Sequence, residues 1–430
     1  MTNMNSIAAS FLLVNAIALL LLPRRWAPVP LLVGACYMTL GQGVEIGPFH
    51  FTVIRILAAV GLIRVILRGE RLAGRMNALD WLIIIWSVVA LVSSRFHNDP
   101  KDALIWRLGL VYNACGIYFL LRVFIQSLDD MVNLCCVTAL LLVPVALEMI
   151  YEHMTFRTLF SIFGGVPEVP QLREGKIRAF GPFVHPILAG TVGAVCLPLM
   201  VGLWPLYRKQ AVVGIVACSI IVFTSSSSGP VMSAMAAIGA LYLWKYRDKM
   251  RQLRWLAVFS YIGLDLVMKV PAYYILGRID ISGGSNGWHR AELIHASITH
   301  LQEWWLAGTD RTIHWMPTGV SWSPEHTDIT NHYIAMGVTG GLPLMLLFIA
   351  MLVKAFSFTG KVLRERGDLP FESQFMVWAL GSALFAHAAT FISVSYFDQS
   401  FVFIYLTLAL IGSAYSCAVA VRDVSTSAAA

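Results

Sequence analysis

Residues 328–346 read DITNHYIAMGVTGGLPLML, a short polar segment that runs directly into an apolar one. The apolar part and its continuation are long enough to cross a lipid bilayer, so the junction predicts the mouth of a transmembrane helix. Ionisable groups at such a mouth are functional-site candidates, because they are costly to place beside lipid. A purely structural interpretation explains the stretch equally well, with Asp328 as a helix cap and Asn331 and His332 among the lipid headgroups.

The composition predicts a polytopic membrane protein. Of the 430 residues, 58% are hydrophobic and only 13% are charged, whereas a soluble domain is nearer half apolar and a quarter charged. The formal net charge of +7 does not indicate a nucleic-acid partner, because basic residues in this class mark the cytoplasmic loops. All seven cysteines fall in apolar segments, which favours buried small side chains over a disulfide framework or a zinc site.

Hydropathy divides the chain into thirteen apolar segments of about the length a bilayer requires. We therefore expect an all-α bundle of twelve or thirteen transmembrane helices that forms one membrane domain over residues 1–430. The second and eighth segments are the least regular. The predicted spans are 6–23, 28–46, 50–67, 80–96, 103–125, 131–151, 183–204, 210–227, 230–246, 254–270, 332–356, 375–396 and 399–421.

Charge predicts the orientation of the bundle. Nineteen of the 31 Lys and Arg residues lie in the connections that follow odd-numbered spans. The positive-inside rule then predicts an external N-terminus and a cytoplasmic C-terminus. It also makes two segments extracytoplasmic, the connection 152–182 and a large loop over 271–331 between the tenth and eleventh spans.

The large loop is predicted to contain a helix over about 286–305. Ile294, Ile298, Leu301 and Trp305 recur at helical spacing, which predicts one apolar face. Arg290 lies one turn earlier on the same face, where a buried arginine needs an anionic partner or ligand. The loop is also rich in tryptophan, including Trp288, which suits either the membrane interface or stacking on sugar rings.

A second group of candidates enters the seventh span from the external side. Arg178 precedes a bend formed by Gly181 and Pro182, and His185 lies at the top of the following helix. The guanidinium fork of arginine fits phosphate oxygens with two hydrogen bonds. The alternative is an arginine that snorkels to lipid phosphate.

Two further polar features of the sequence are candidates for the site. Ser227 belongs to a run of hydroxyl residues over 224–228, which either binds sugar or phosphate or satisfies broken helix ends. Arg55 lies one turn inside the third span from the external side, where an arginine lines a polar interior or pairs with another group.

Three of these stretches together resemble the O-antigen ligase and O-antigen polymerase superfamily. The segment 178–186, RAFGPFVHP, resembles the arginine motif of that family. The segment 288–293, WHRAEL, is followed eighteen residues after Arg290 by Gly308 and is similar to its Gly-Arg-x-x-Leu-Trp…Leu-Gly stretch. Residues 331–341 resemble the signature at the end of its long external loop. The order of the motifs and their common external side carry the resemblance.

The resemblance implies a metal-independent, inverting glycosyltransferase in the bacterial inner membrane, with no cofactor. Its donor would be a glycan on undecaprenyl diphosphate. Its acceptor would be a hydroxyl of the lipid A core in a ligase, or the growing polysaccharide in a polymerase, and its other partners would be membrane lipids. Arginines would hold the diphosphate, and a histidine on the long loop would activate the acceptor.

The family histidine has no counterpart in register. Counting back from Gly341 places Thr330 at the histidine position and Asn331 at the polar residue that follows. His332 therefore becomes the candidate base, with Asp328 four residues earlier on the same helical face to orient the imidazole. His326 is a further candidate.

The predicted site has three groups of residues. The acceptor-activating group is His332, Asp328 and Asn331. The donor-binding group is Arg178, Arg290, His185 and Arg55. The supporting group is Gly181, Trp288, His326, Ser227 and Gly341.

The motifs do not separate a ligase from a polymerase. Two other classes of protein also remain open, a polysaccharide exporter or flippase and a non-catalytic assembly component that keeps the fold. A transporter would usually show internal repeats and broken helices near the midplane, whereas the polar residues here collect at one face.

Overall fold

The computed structural model describes residues 4–278, 287–320 and 323–429, with side chains up to residue 418. Fifteen α-helices make up most of this described part, and three two-stranded hairpins interrupt them. The helices are α1 (Ser6–Leu21), α2 (Pro28–Tyr37), α3 (Val53–Arg68), α4 (Ala78–Ser93), α5 (Pro100–Phe124), α6 (Leu128–Thr155), α7 (Pro186–Gly202), α8 (Arg208–Thr224), α9 (Ser228–Tyr242), α10 (Met250–Val267), α11 (Gly287–Thr299), α12 (Leu301–Trp304), α13 (His332–Glu365), α14 (Phe371–Thr390) and α15 (Phe401–Ala429). The antiparallel hairpins are β1 (Gly43–Ile46) with β2 (Phe49–Thr52), β3 (Gln171–Arg173) with β4 (Lys176–Arg178), and β5 (Gly319–Val320) with β6 (Ser323–Thr327).

The all-helical membrane architecture agrees with the prediction at this level of detail. Five helices of the described chain are long and apolar enough to cross a membrane, namely α4, α5, α6, α13 and α15. A sixth is counted when Ser228–Val267, which contains α9 and α10, is taken as one bent span together with the 3-10 helix Ala272–Arg278. Each of the thirteen predicted spans overlaps one of the helices α1–α10 and α13–α15, and the number of crossings stays a prediction.

The second predicted span is wrong in its second half. Helix α2 ends at Tyr37, and its ten residues make it about 15 Å long at 1.5 Å per residue, half of a hydrocarbon core. The chain then turns into the β1–β2 hairpin. Polar side chains end the helix here, because Thr39 and Gln42 donate hydrogen bonds to backbone carbonyls of the segment between α6 and α7.

The loop helix also differs from its prediction. Helix α11 ends at Thr299, so the apolar positions expected on one continuous face belong to two elements. Ile298 and Trp305 are 57% and 50% exposed, whereas Leu293 is fully buried and packs in a small cluster with Trp304. The buried face of α11 is therefore turned away from the predicted stripe.

Hydrogen bonds join residues in or near the connections that follow even-numbered predicted spans to one another and to the N-terminal residues. His97, between α4 and α5, bonds to Asp310 in the large loop. The Val184 N–H, before α7, donates to Asp398 between α14 and α15 at 3.1 Å. Further bonds of this kind link Asn5 with Gln42, Thr39 with Gly164, Arg178 with Ser227, and Asn331 with Ile392.

Contacts of the same kind join residues in or near the connections that follow odd-numbered predicted spans, at the other end of the bundle. Buried Arg64 pairs with Glu70 at 2.8 Å and also donates to backbone carbonyls at the end of α1. Buried Arg122 pairs with Asp80 at 3.1 Å. The Trp378 indole, on α14, donates to a carbonyl near the end of α9. Arg64 and Arg122, two of the basic residues counted for the positive-inside rule, thus lie at the end opposite the large loop.

The large loop is attached to a break in α13. The break falls at Gly340 and Gly341, where Gly341 has φ +77° and a Cβ would lie 2.4 Å from backbone of the loop. The freed Leu342 N–H donates to the Trp305 carbonyl at 2.8 Å. Gly341, predicted as site support, therefore anchors the loop backbone to the membrane helix.

These contacts predict that the two ends of the bundle lie on opposite sides of the membrane. Gly319 is exposed in the large loop and Lys249 is exposed at the other end. In a cysteine-free background, Gly319→Cys should react with an impermeant maleimide in intact spheroplasts, and Lys249→Cys should react only after lysis. Equal labelling of both variants before lysis, or the reverse order, would contradict this orientation.

Candidate functional site

A cavity of about 240 Å³ opens among the connections at the end of the bundle that carries the large loop. Its walls come from the β3–β4 hairpin, the start of α7, the turn before α9, helix α11, the end of the large loop and the segment between α14 and α15. The structure brings five of the predicted site residues to this cavity although they are far apart in sequence. They are Arg178, His185, Ser227, Arg290 and Asp328.

Arg178 is the most deeply placed cation of the cavity. Arg178 is only 8% exposed. Its guanidinium donates to the Ser227 hydroxyl at 2.7 Å and to the Gln171 amide oxygen at 3.4 Å. Its Nε is buried with no hydrogen-bond partner among the described residues. Burial and the neighbouring Arg173 lower the pKa of Arg178 to about 10, so the guanidinium remains protonated at neutral pH.

The partners of Arg178 set it apart from the buried arginines at the opposite end of the bundle. Arg64 and Arg122 each have a carboxylate within 3.1 Å or less. Across residues 4–278, 287–320 and 323–418, no carboxylate lies within ion-pair distance of Arg178. A buried cation without an anion is costly, and the cavity beside it leaves room for an anionic ligand.

Glu152, at the end of α6, fixes the backbone that follows Arg178. This fully buried carboxylate accepts the Phe180 N–H at 2.8 Å and the Gly181 N–H at 2.9 Å. Gly181 has φ +57°, a conformation that glycine adopts without strain. The bend predicted at Gly181 is therefore held by one side chain from a neighbouring helix. Glu152 was not predicted, because nothing in the local sequence pattern connects α6 with this bend.

His185 is the N-cap of α7 and has a defined tautomer. Its Nδ1 accepts the Ile187 N–H at 3.2 Å. In a neutral imidazole the other nitrogen, Nε2, then carries the hydrogen. His185 is thereby suited to donate a hydrogen bond to a ligand in the cavity, and less suited to accept a proton.

The hydroxyl run before α9 takes the structural role that the sequence offered and also contacts Arg178. The Ser227 hydroxyl accepts from Arg178 and donates to the Ser225 carbonyl at 2.9 Å, so it satisfies a helix end and orients the arginine together. Ser226, Ser227 and Ser228 all line the cavity, where α9 begins. A helix N-terminus adds positive potential for an anion.

Helix α11 contributes Arg290 and a positioning residue, His289. Arg290 lines the cavity together with Asp328. His289 is buried, bonds through Nε2 to the Asp328 carbonyl at 2.9 Å, and bonds through Nδ1 to the Thr318 hydroxyl at 3.1 Å. Both ring nitrogens are thus occupied, and His289 holds the backbone of Asp328 against α11.

Two further cations at the cavity were not predicted. Arg173 and Lys176 lie on the β3–β4 hairpin and line the same wall as Arg178. The sequence signal was available, since REGK over 173–176 is a compact turn two residues before Arg178. Four Arg and Lys residues face two carboxylates, Glu174 and Asp328, around the cavity. Its formal charge is therefore positive.

The predicted pairing of His332 with Asp328 is wrong. Asn331 is the N-cap of α13 and accepts the Ile334 N–H at 3.1 Å, so the helix begins at His332. Asp328 lies before the cap in non-helical chain and cannot share a helical face with His332. Asn331, predicted in the catalytic group, is a capping residue.

His332 itself packs behind the cavity. Its Nδ1 lies 3.2 Å from the Ser395 hydroxyl and accepts the Tyr396 N–H at 3.3 Å. Its ring stacks on Phe391 with centroids 4.7 Å apart. His332 is not among the residues that line the cavity. These contacts suit a side chain that positions the segment between α14 and α15.

Three other predicted residues also lie outside the cavity wall. Arg55 donates to the Asn113 side chain at 2.9 Å and to the His50 carbonyl at 2.7 Å. Trp288 is 54% exposed and His326 bonds to Ser323 in strand β6. Arg55 was predicted to bind the donor because an intramembrane arginine needs a polar partner, and the sequence does not show which partner it has. Here that partner is the neighbouring helix α5.

Comparisons with known proteins return no relative. No family model, no curated protein and no solved structure matches this chain.

Glu152→Gln should loosen the bend at Gly181 because an amide group cannot accept both N–H bonds. We expect a loss of about 1–3 kcal/mol in stability, typical of a buried donor left without a partner. Thermal unfolding of the purified protein in detergent measures this loss. Glu45→Gln, at an exposed position on β1, is the matched control and should unfold at the wild-type temperature. Equal midpoints for the two variants would contradict the role assigned to Glu152.

Proposed function

We propose that this chain is a membrane glycosyltransferase of the O-antigen ligase type. It would move a glycan from undecaprenyl diphosphate to an acceptor hydroxyl at the outer face of the bacterial inner membrane. The observation that carries the proposal is buried Arg178, which has no carboxylate partner among the described residues and faces a cavity that Arg290 also lines. A diphosphate has the charge and the oxygen geometry that such a pair of arginines binds.

The chemistry of transfer matches the charge of the cavity. The bond between the anomeric carbon and the diphosphate oxygen breaks while the acceptor oxygen attacks the same carbon from the opposite face. The diphosphate leaves with additional negative charge, which Arg178, Arg290 and the start of α9 would stabilise. The Nε2–H of His185 would add one hydrogen bond to a phosphate oxygen. The proton of the acceptor hydroxyl needs a base near the attacking atom.

Asp328 is the preferred base in this proposal. It is exposed, lines the cavity and lies at the end of the large loop, where an acceptor would approach. The hydrogen bond from His289 to its carbonyl fixes its backbone. His332 is the less favoured candidate, since its Nδ1 already has two partners behind the cavity.

A thirteen-span topology belongs to the same proposal. Its support is the grouping of even-numbered connections at one end and odd-numbered connections at the other. Helix α2 would then need the non-helical residues 38–42, before the hairpin, to complete its crossing. The lipid carrier of the donor requires a cavity close to the membrane surface, and the cavity lies at the N-terminal ends of α7 and α9.

The second acceptor class is polymerisation onto a growing glycan. The cavity chemistry is the same for ligase and polymerase, because both reactions release the same diphosphate. Deletion of the protein from its native host separates them. A ligase leaves polymerised glycan on the lipid carrier, whereas a polymerase leaves single repeat units there.

Arg178→Lys should lower transfer by at least tenfold although it keeps the charge, because the two-pronged donor geometry is lost. The assay is transfer of a labelled lipid-linked glycan by the purified protein in membranes that contain an acceptor. Arg95→Lys, at an exposed arginine on the same end of the bundle, is the control and should retain full activity. Wild-type transfer by Arg178→Lys would refute diphosphate binding by this residue.

Asp328→Asn and His332→Ala separate the two candidate bases. A positioned general base contributes about 10²–10⁴-fold, so Asp328→Asn should lower the rate constant of transfer within that range while donor binding is retained. His332→Ala should lower thermal stability through its packing on Phe391 and have a smaller effect on the rate. A large rate loss confined to His332→Ala would assign the base to His332 and overturn the assignment to Asp328.

A further inference from the structure

A second cluster of polar side chains lies in the large loop, away from the cavity. His300, Glu303 and His314 each offer one ligand atom, and these atoms all lie within 4.8 Å of one another. His300 immediately precedes α12, Glu303 lies on α12, and His314 lies on the 3-10 turn Ile313–Trp315. None of the three lines the cavity.

The carboxylate of Glu303 is the centre of this cluster. One oxygen lies 2.7 Å from His300 Nδ1, and the other lies 2.8 Å from His314 Nε2. The Trp315 indole N–H donates to the second oxygen at 3.1 Å. The His300 ring stacks on Trp315 with an interplanar angle of 10°. The tryptophan therefore orients both a carboxylate and an imidazole from outside the cluster, as the supporting groups around metal ligands do.

We propose that His300 Nδ1, a Glu303 oxygen and His314 Nε2 bind one zinc ion or a similar divalent transition metal. Two histidines and one carboxylate form a known zinc ligand set, with metal–ligand distances of about 2.0–2.2 Å. A tetrahedral ion at those distances separates its ligand atoms by about 3.3 Å, so the observed cluster needs only small side-chain movements to close around it. Water completes the coordination.

The ligand types select the class of metal. Imidazole nitrogen favours zinc, nickel, cobalt and copper, whereas magnesium and calcium prefer sites made wholly of oxygen. The three side chains are 28–39% exposed, which leaves a route for the ion and for the water ligand. As hydrogen-bonded pairs alone, such exposed groups would contribute little to stability.

The proposed metal is structural. It joins α12 to the 3-10 turn and closes the segment between them, which contains Asp310. Asp310 holds that segment on the bundle. Its carboxylate bonds to the His97 ring and accepts the Asn98 N–H. An ion here would stabilise the loop that presents Arg290 and Asp328, and it takes no part in the transfer step. The inference does not depend on the proposed glycosyl transfer.

The test is zinc binding by the full-length protein in nanodiscs after removal of metal with EDTA. Isothermal titration with ZnCl₂ should give one ion per chain, and thermal unfolding should shift upward with zinc but not with MgCl₂. Glu303→Gln, which keeps the size of the side chain, and His314→Ala should each weaken binding by at least tenfold. His295→Ala, on α11 with its Nδ1 at 3.1 Å from the Tyr273 hydroxyl, lies outside the three proposed ligands; it is the control and should bind as wild type.

Two results would overturn the proposal. One is the lack of stoichiometric zinc binding by the wild-type protein. The other is equal zinc affinity in Glu303→Gln, His314→Ala and His295→Ala, which would place the ion elsewhere. Size-exclusion elution of each variant in the same nanodiscs checks that a lost site does not reflect a lost fold.

Discussion

The cost of burying charge in an apolar bundle governs this structure. Buried arginines need compensation, and Arg122, Arg64 and Arg178 obtain it in two different ways. Arg122 and Arg64 have carboxylates inside the bundle, so their charge is neutralised by the fold. Arg178 has a hydroxyl and an amide instead, and beside it lies a cavity whose other side carries Arg290. The first arrangement neutralises the buried charge within the fold, and the second leaves a protonated guanidinium beside a cavity.

The site depends on contacts between segments that are distant in sequence. Glu152 comes from α6, yet it shapes the backbone before α7. His289 comes from α11, yet it fixes the backbone before α13. These bonds bring the hairpin, the hydroxyl turn and the large loop around one cavity. A single lost contact in this set should therefore displace residues that belong to other elements.

Much of this arrangement was predictable from sequence, and the failures have physical causes. Hydropathy located the helices, because a membrane helix must be predominantly apolar along the length that crosses the hydrocarbon core. Motif analysis located Arg178, His185, Ser227, Arg290 and Asp328, which meet at the cavity. The error at His332 came from the helix start, since the cap at Asn331 excludes Asp328 from the helix. Glu152 and His289 were missed because tertiary contacts alone give them their positions.

The break in α13 has a mechanical consequence. The Leu342 N–H bonds to the Trp305 carbonyl, and the Thr309 N–H bonds to the Val338 carbonyl. Lifting the loop would strand these groups in apolar surroundings, at a cost of several kcal/mol for each. These two bonds therefore oppose a hinged opening of the loop at its junction with α13. For the proposed transfer, a lipid-linked substrate would enter laterally from the membrane. Turnover would proceed without a large closing motion at this junction.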